Sequence, residues 1–143
     1  MFISNKKKSS KAITLAETLI SAAIIILIST GVIALFMQVV SMSRKINYEY
    51  IATHIAKSRI ERARSIIKSG GFGNLPELEE DSVIVDSAGV PDPDGSFIRD
   101  TDIEENYTGD SRLTRIEVNV WYVFKGKKSK NPIVMTTIFN DIE

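Results

Sequence analysis

The residue types that most often carry chemistry are scarce in this chain of 143 residues. Cysteine is absent, which excludes disulfides, thiolate metal ligands and cysteine nucleophiles. His54 is the single histidine, so a site built from several imidazoles is also excluded. No glycine-rich nucleotide-binding motif, HExxH motif or GxSxG motif occurs. The sequence therefore predicts a protein that is not an enzyme and that has no cofactor and no metal ion.

Glu17 is chemically unusual because it lies in an apolar stretch. The chain has no charged residue from Thr18 to Ser43, and a helix of about 20 apolar residues crosses a hydrocarbon core of about 30 Å. A carboxylate in such a helix is costly, so by default it indicates a function and a partner. Two other interpretations stay open from the residues alone. Glu17 can reach the membrane interface, or it can pair with Lys11.

A short motif surrounds this acid, between a lysine-rich leader and the uncharged span. It reads Lys11-Ala12-Ile13-Thr14-Leu15-Ala16-Glu17. The motif resembles the class III signal of type IV pilins and type II secretion pseudopilins. The resemblance implies that a prepilin peptidase removes residues 1–12 by cutting between Ala12 and Ile13, and that Ile13 becomes N-methylated. It also implies roles in assembly and peptidase recognition for Thr14, Leu15 and Glu17.

Two features depart from the family pattern. The family usually has Gly before the cut and Phe after it, where this chain has Ala12 and Ile13. The proline of many major pilins would fall at Ala34. The resemblance therefore implies a minor pilin or pseudopilin, with other such subunits and an assembly platform in the inner membrane as partners.

The cut would give Glu17 a partner, because it creates a free α-amine on Ile13 that is largely cationic at neutral pH. In a filament, the Glu17 carboxylate of one subunit can face this amine of its neighbour. At low dielectric a matched pair attracts strongly and an unmatched charge is penalised, so the pair would set the axial register.

Charge is distributed unevenly although the formal net charge is zero. Four lysines precede the span and two basic residues follow it closely, which favours a cytoplasmic N-terminus. The resemblance implies a single-pass protein of the inner membrane that later enters an extracytoplasmic filament. Residues 44–70 hold seven bases and two acids, whereas residues 77–110 hold twelve acids and one base. The basic segment carries an apolar stripe and interleaved acids, so we expect a half-buried helix and no nucleic acid as partner.

The periodicity predicts one continuous helix from about residue 13 to 69, of which residues 13–43 form the transmembrane half. The resemblance implies that this half also mediates assembly. The amphipathic half has an apolar stripe at Ile46, Tyr50 or Ile51, Ile55, Ile60, Ala63, Ile66 and Ile67. Basic residues are expected to cover the remaining surface: Arg44, Lys57, Arg59, Arg62, Arg64 and Lys68.

The rest of the chain indicates a small antiparallel sheet that the apolar stripe covers. Residues 70–111 are predicted to be loops with only short strands, near 82–86 and 96–99. Residues 112–143 are predicted to form a β-hairpin, whose first strand places Ile116, Val118, Val120, Tyr122 and Phe124 on one face. The predicted fold is α+β and pilin-like, with residues 44–143 as a head.

The residues suggest two alternatives to the filament subunit and, separately, one candidate metal site. A monomeric, membrane-anchored binding or sensor domain is the main rival. A secreted protein is disfavoured, because 26 uncharged residues exceed the apolar core of a signal peptide. A calcium site at Asp92 and Asp94, with Asp100 or Asp102, is disfavoured because the spacing fits no EF-hand loop.

Overall fold

The computed structural model describes residues 14–141. The leader and the cleavage site predicted at Ala12 and Ile13 lie outside the described residues. The chain divides into two compact units, of which the first ends at Met42 and the second begins at Ser43.

A single helix, α1, runs over Leu15–Gly70 and contributes to both units. Its portion in the first unit is apolar and exposed around its circumference. The helix ends at a glycine pair, where Gly71 has a φ of 76° and its N–H donates to the Ile67 carbonyl at 3.0 Å. A glycine in this left-handed conformation is a common helix stop, so the predicted end near residue 69 is confirmed.

The second unit contains the sheet. After α1 the elements are a 3-10 helix at Phe72–Leu78, β1 at Glu80–Val85, β2 at Phe97–Glu105, a 3-10 turn at Tyr107–Gly109, β3 at Leu113–Phe124, β4 at Lys127–Lys128 and β5 at Ile133–Asn140. All pairings are antiparallel. β3 is central, since it pairs with β2 on one side and with β4 and β5 on the other.

The predicted hairpin of β3 and β5 is present, with a continuous register from Leu113 opposite Asn140 to Val120 opposite Ile133. Side chains of β3 alternate between buried and half-buried along most of the strand. Four of the five residues predicted on its inner face are buried and the fifth is half-buried: Ile116, Val118, Val120, Tyr122 and Phe124.

The core lies between the sheet and the part of α1 within the second unit. The helix buries Ala52, Ile55, Ala56, Ile60 and Ala63 against residues of β1, β2, β3 and the 3-10 helix. The predicted α+β, pilin-like fold, with a long N-terminal helix and a small antiparallel sheet, is thereby confirmed. One position of the predicted stripe is wrong, because Ile46 is 55% exposed. Of the two alternatives at the next position, Ile51 packs against the core, whereas Tyr50 is 70% exposed. Tyr48, which the stripe did not include, also packs against the core.

Two further expectations need correction. Arg59, expected on the exposed side of α1, is buried, because it follows Ile55 by four residues and precedes Ala63 by four. β2 has nine residues and is not a short strand. Acidic residues on the outward face of β2 make its alternation of inward and outward side chains hard to recognise in the sequence. Arg115 on β3 forms ion pairs with two of these acids, Asp102 and Glu104.

Candidate functional site

Thr14 and Glu17 meet at the start of α1. Thr14 precedes the helix, and its Oγ1 accepts a hydrogen bond from the Glu17 backbone N–H at 3.4 Å. The Thr14 carbonyl accepts from the same N–H at 3.0 Å and from Thr18 at 3.2 Å. Thr14 is therefore the N-cap of α1, and the Thr-x-x-Glu spacing is that of a capping box. This role was not anticipated, although the spacing could have indicated it.

The Glu17 side chain is exposed in the first turn of the helix, where the helix dipole favours a negative charge. Within residues 14–141, no basic side chain forms an ion pair with its carboxylate. Leu15, the other predicted site residue that the structure describes, is exposed as well. The structure thus brings Thr14 and Glu17 together, while Ala12 and Ile13 lie outside its described part.

The surface that follows Glu17 is suited to an apolar environment. One helix is long and apolar enough to cross a membrane, by length and composition, and its most apolar window is unburied. Three hydroxyls in this stretch bond to carbonyls of their own helix: Thr18 to Leu15 at 2.8 Å, Ser21 to Glu17 at 2.8 Å and Thr30 to Ile26 at 3.0 Å. Hydroxyls satisfied in this way need no water.

An arginine–glutamate–arginine cluster is the main buried polar feature of the second unit. Glu80 Oε1 lies 2.8 Å from Nη2 of Arg59, and Glu80 Oε2 lies 2.7 Å from Nε of Arg99. The Arg59 side chain also donates to the Leu78 carbonyl at 2.8 Å. Burial lowers the pKa of Arg59, and the nearby charge of Arg99 lowers it further. Both buried arginines therefore depend on one carboxylate.

A second polar contact joins β3 to α1 within the same unit. The Tyr122 hydroxyl donates to Glu49 Oε1 at 3.1 Å, and Lys45 Nζ lies 3.7 Å from the same oxygen. Burial raises the pKa of Tyr122, with the hydrogen bond to Glu49 as the next cause. Tyr48 packs beside Tyr122, with ring centroids 6.1 Å apart. The arrangement fixes the buried ring and satisfies its hydroxyl.

The acidic loop after β1 builds its own turns. Asp86 Oδ1 accepts from the backbone N–H groups of Ala88 and Val90, both at 2.9 Å. Asp92 Oδ1 accepts from the Asp94 N–H at 3.0 Å. Within the described part of the chain, no three acidic or histidine side chains come together as metal ligands.

No protein-family model, curated protein or solved structure matches the chain.

Proposed function

We propose that the chain is a prepilin-like structural subunit. A prepilin peptidase cleaves it between Ala12 and Ile13, and it assembles through its N-terminal helix into a filament of the type IV pilus or type II secretion pseudopilus kind. In this proposal it performs no catalysis. Before assembly it is a single-pass protein of the inner membrane with its N-terminus in the cytoplasm. It then enters an extracytoplasmic filament.

The position of Glu17 carries the proposal. Its carboxylate is exposed at the start of an apolar helix surface, and it has no ion-pair partner among residues 14–141. Such a charge is costly in lipid unless a cation meets it. The free amine that cleavage creates at Ile13 supplies that cation when it belongs to a neighbouring subunit. One apolar helix with an acid at its start can thus pack beside others in a fixed register.

The same helix supports assembly in a second way. Large apolar side chains are exposed on all sides between residues 15 and 42. Lipid covers this surface in the membrane, and neighbouring helices would cover it in a filament. The hydroxyls that bond to their own backbone lower the cost of both environments.

A monomeric, membrane-anchored binding domain is the competing proposal, and two observations favour it. Thr14 Oγ1 accepts a hydrogen bond from the Glu17 backbone N–H within a single chain, so Thr14 has a structural use without any neighbour. The second unit also has its own core, as an independent binding domain would.

Mass spectrometry of the membrane-extracted chain separates these two proposals. In a host with an active prepilin peptidase, we expect a protein that begins at Ile13 and carries an N-terminal methyl group. The variant Ala12→Asp should keep the leader, because the resemblance implies a small residue before the cut. Ser9→Ala is the control in the leader and should be processed normally. A wild-type chain that retains residues 1–12 in this host would contradict the proposal.

A further inference from the structure

A cleft in the second unit has a lining that is rich in arginine. Its volume is about 270 Å³, and Gly89 of the loop after β1 is one of its lining residues. Its charged lining consists of three arginines and two glutamates: Arg59, Arg62, Arg99, Glu77 and Glu80. A water molecule takes up about 30 Å³ of liquid, so the cleft has room for a small ion and its remaining waters. The lining carries one more positive charge than negative charges.

Two of these arginines are held in place away from water. The side chains of Arg59 and Arg99 are each 6% exposed, and that of Glu80 is 18% exposed. Arg99 is fixed by two hydrogen bonds to Glu80, at 2.7 and 3.0 Å, and by a third to the Gly89 carbonyl at 2.8 Å. The guanidinium groups are therefore preorganised and need little reordering to meet a ligand.

The positive charge of the cluster is incompletely satisfied. Glu80 provides one negative charge for two buried cations, and Nε of Arg59 is buried without a hydrogen-bond acceptor among residues 14–141. Burial lowers the pKa of Arg59, and charge repulsion from Arg99 lowers it further. A buried charge without full compensation is costly, so an anion beside these groups would be stabilised.

We infer that this cleft binds a small oxyanion, a carboxylate or a phosphate, with Arg62 as the clamp on the solvent side. Guanidinium groups suit both anions because their fork of N–H donors matches two oxygens. The anion can be a free ion, or it can be the carboxylate of an acidic side chain on a second copy of this chain. The inference holds whether or not the chain forms a filament.

Calorimetric titration of the full chain in detergent micelles tests this site, with inorganic phosphate or acetate as the probe and the ionic strength held constant with chloride. We expect saturable binding to the wild type. Arg62→Gln should weaken it about tenfold, since a hydrogen bond to a charged group is lost. Lys57→Gln removes the same charge from an exposed position of α1 outside the cleft, and it should leave the affinity within about twofold.

Glu77→Gln makes the test directional. Removing a carboxylate from the cleft should tighten phosphate binding about threefold or more, because one repulsion at short range disappears. Glu79→Gln, two residues away and outside the cleft lining, is its control. Opposite changes for Arg62→Gln and Glu77→Gln would support the site. Absence of saturable binding, or equal affinities in all four variants, would overturn it.

Light scattering during the same titration distinguishes the two sources of the anion. If phosphate dissociates oligomers of the chain, a carboxylate of another copy occupies the cleft. If phosphate binds and the oligomeric state is unchanged, the natural ligand is a free anion. Both results support the site. Only the phosphate affinities of the wild type and the variants can overturn it.

Discussion

Glu80 Oε1 lies 2.8 Å from Nη2 of Arg59, which joins the acidic segment of the chain to the basic part of α1 inside one unit. The sequence segregates these charges into different stretches. Folding brings one acid from the first strand against an arginine on the buried face of the helix. The contact therefore compensates a charge that packing at the core forces out of water.

Glu80→Gln should destabilise the second unit strongly. The change leaves Arg59 and Arg99 without a negative partner, and breaking a buried pair from one side costs about 3–5 kcal/mol. Trp121 is the single tryptophan of the chain and lies on β3, so its fluorescence reports unfolding of this unit. Glu79→Gln neutralises the exposed neighbour and should shift the midpoint little. Equal midpoints for the two variants would show that Glu80 contributes nothing.

Tyr122 should make the second unit sensitive to alkaline pH. Its folded pKa is raised above the ordinary value of 10.0, so its contribution to stability is complete below pH 10. That contribution is lost as the pH rises through the folded pKa. The difference in tyrosinate absorbance between wild type and Tyr122→Phe should therefore titrate above pH 10. Glu49→Gln should move this midpoint downward, and a midpoint at or below 10.0 in the wild type would contradict the assignment.

Gly95 lies where the chain passes close to β1. A Cβ at this position would overlap the Val85 carbonyl and would lie 2.9 Å from the Asp92 carbonyl oxygen. Since both obstacles are backbone atoms, Gly95→Ala should cost about 1–3 kcal/mol. Gly73→Ala is the control, because a Cβ there meets no atom within 4 Å. Thermal unfolding should separate the two variants. Identical midpoints would show that the backbone around Gly95 rearranges without a measurable cost in stability.

Several parts of the fold were accessible from the sequence, and the reason is periodicity. The alternation in β3 predicts its inner face, and the glycine pair after Ser69 predicts the end of α1. The charge of Arg59 predicts an exposed position, which is wrong, because its spacing in phase with Ile55 and Ala63 places it on the buried face of α1. β2 was underestimated because an alternation of acids with small or apolar residues resembles a solvated loop.

Only part of the candidate site could be predicted from the sequence. The motif around Glu17 could be found in the sequence because a lysine-rich leader directly precedes it and an uncharged span directly follows it. The capping contact between Thr14 and Glu17 depends on local backbone geometry, and the cleft depends on long-range contacts. Arg59 and Glu80 are separated by more than twenty positions along the chain, so no local pattern indicates their pairing.

The account depends most on Glu17 meeting a cation of another subunit, and substitution separates this role from helix capping. Glu17→Gln removes the charge but keeps a side chain that is compatible with a capping box. Ser21→Ala is the control one turn later, since it removes only a hydroxyl that bonds to the Glu17 carbonyl at 2.8 Å. Both variants should insert in the membrane because the span remains apolar. Both should also be cleaved, because the scissile bond between Ala12 and Ile13 and the other two recognition residues, Thr14 and Leu15, are unchanged.

The decisive measurement is the ratio of protein in sheared or crosslinked filaments to protein in the membrane, with the processed fraction determined in the same samples. We predict that Glu17→Gln is processed normally but is lost from filaments, because the unpaired amine of its neighbour costs about 3–5 kcal/mol. Ser21→Ala should be incorporated like the wild type. Normal incorporation of Glu17→Gln would contradict the account and would leave Glu17 as an interfacial carboxylate.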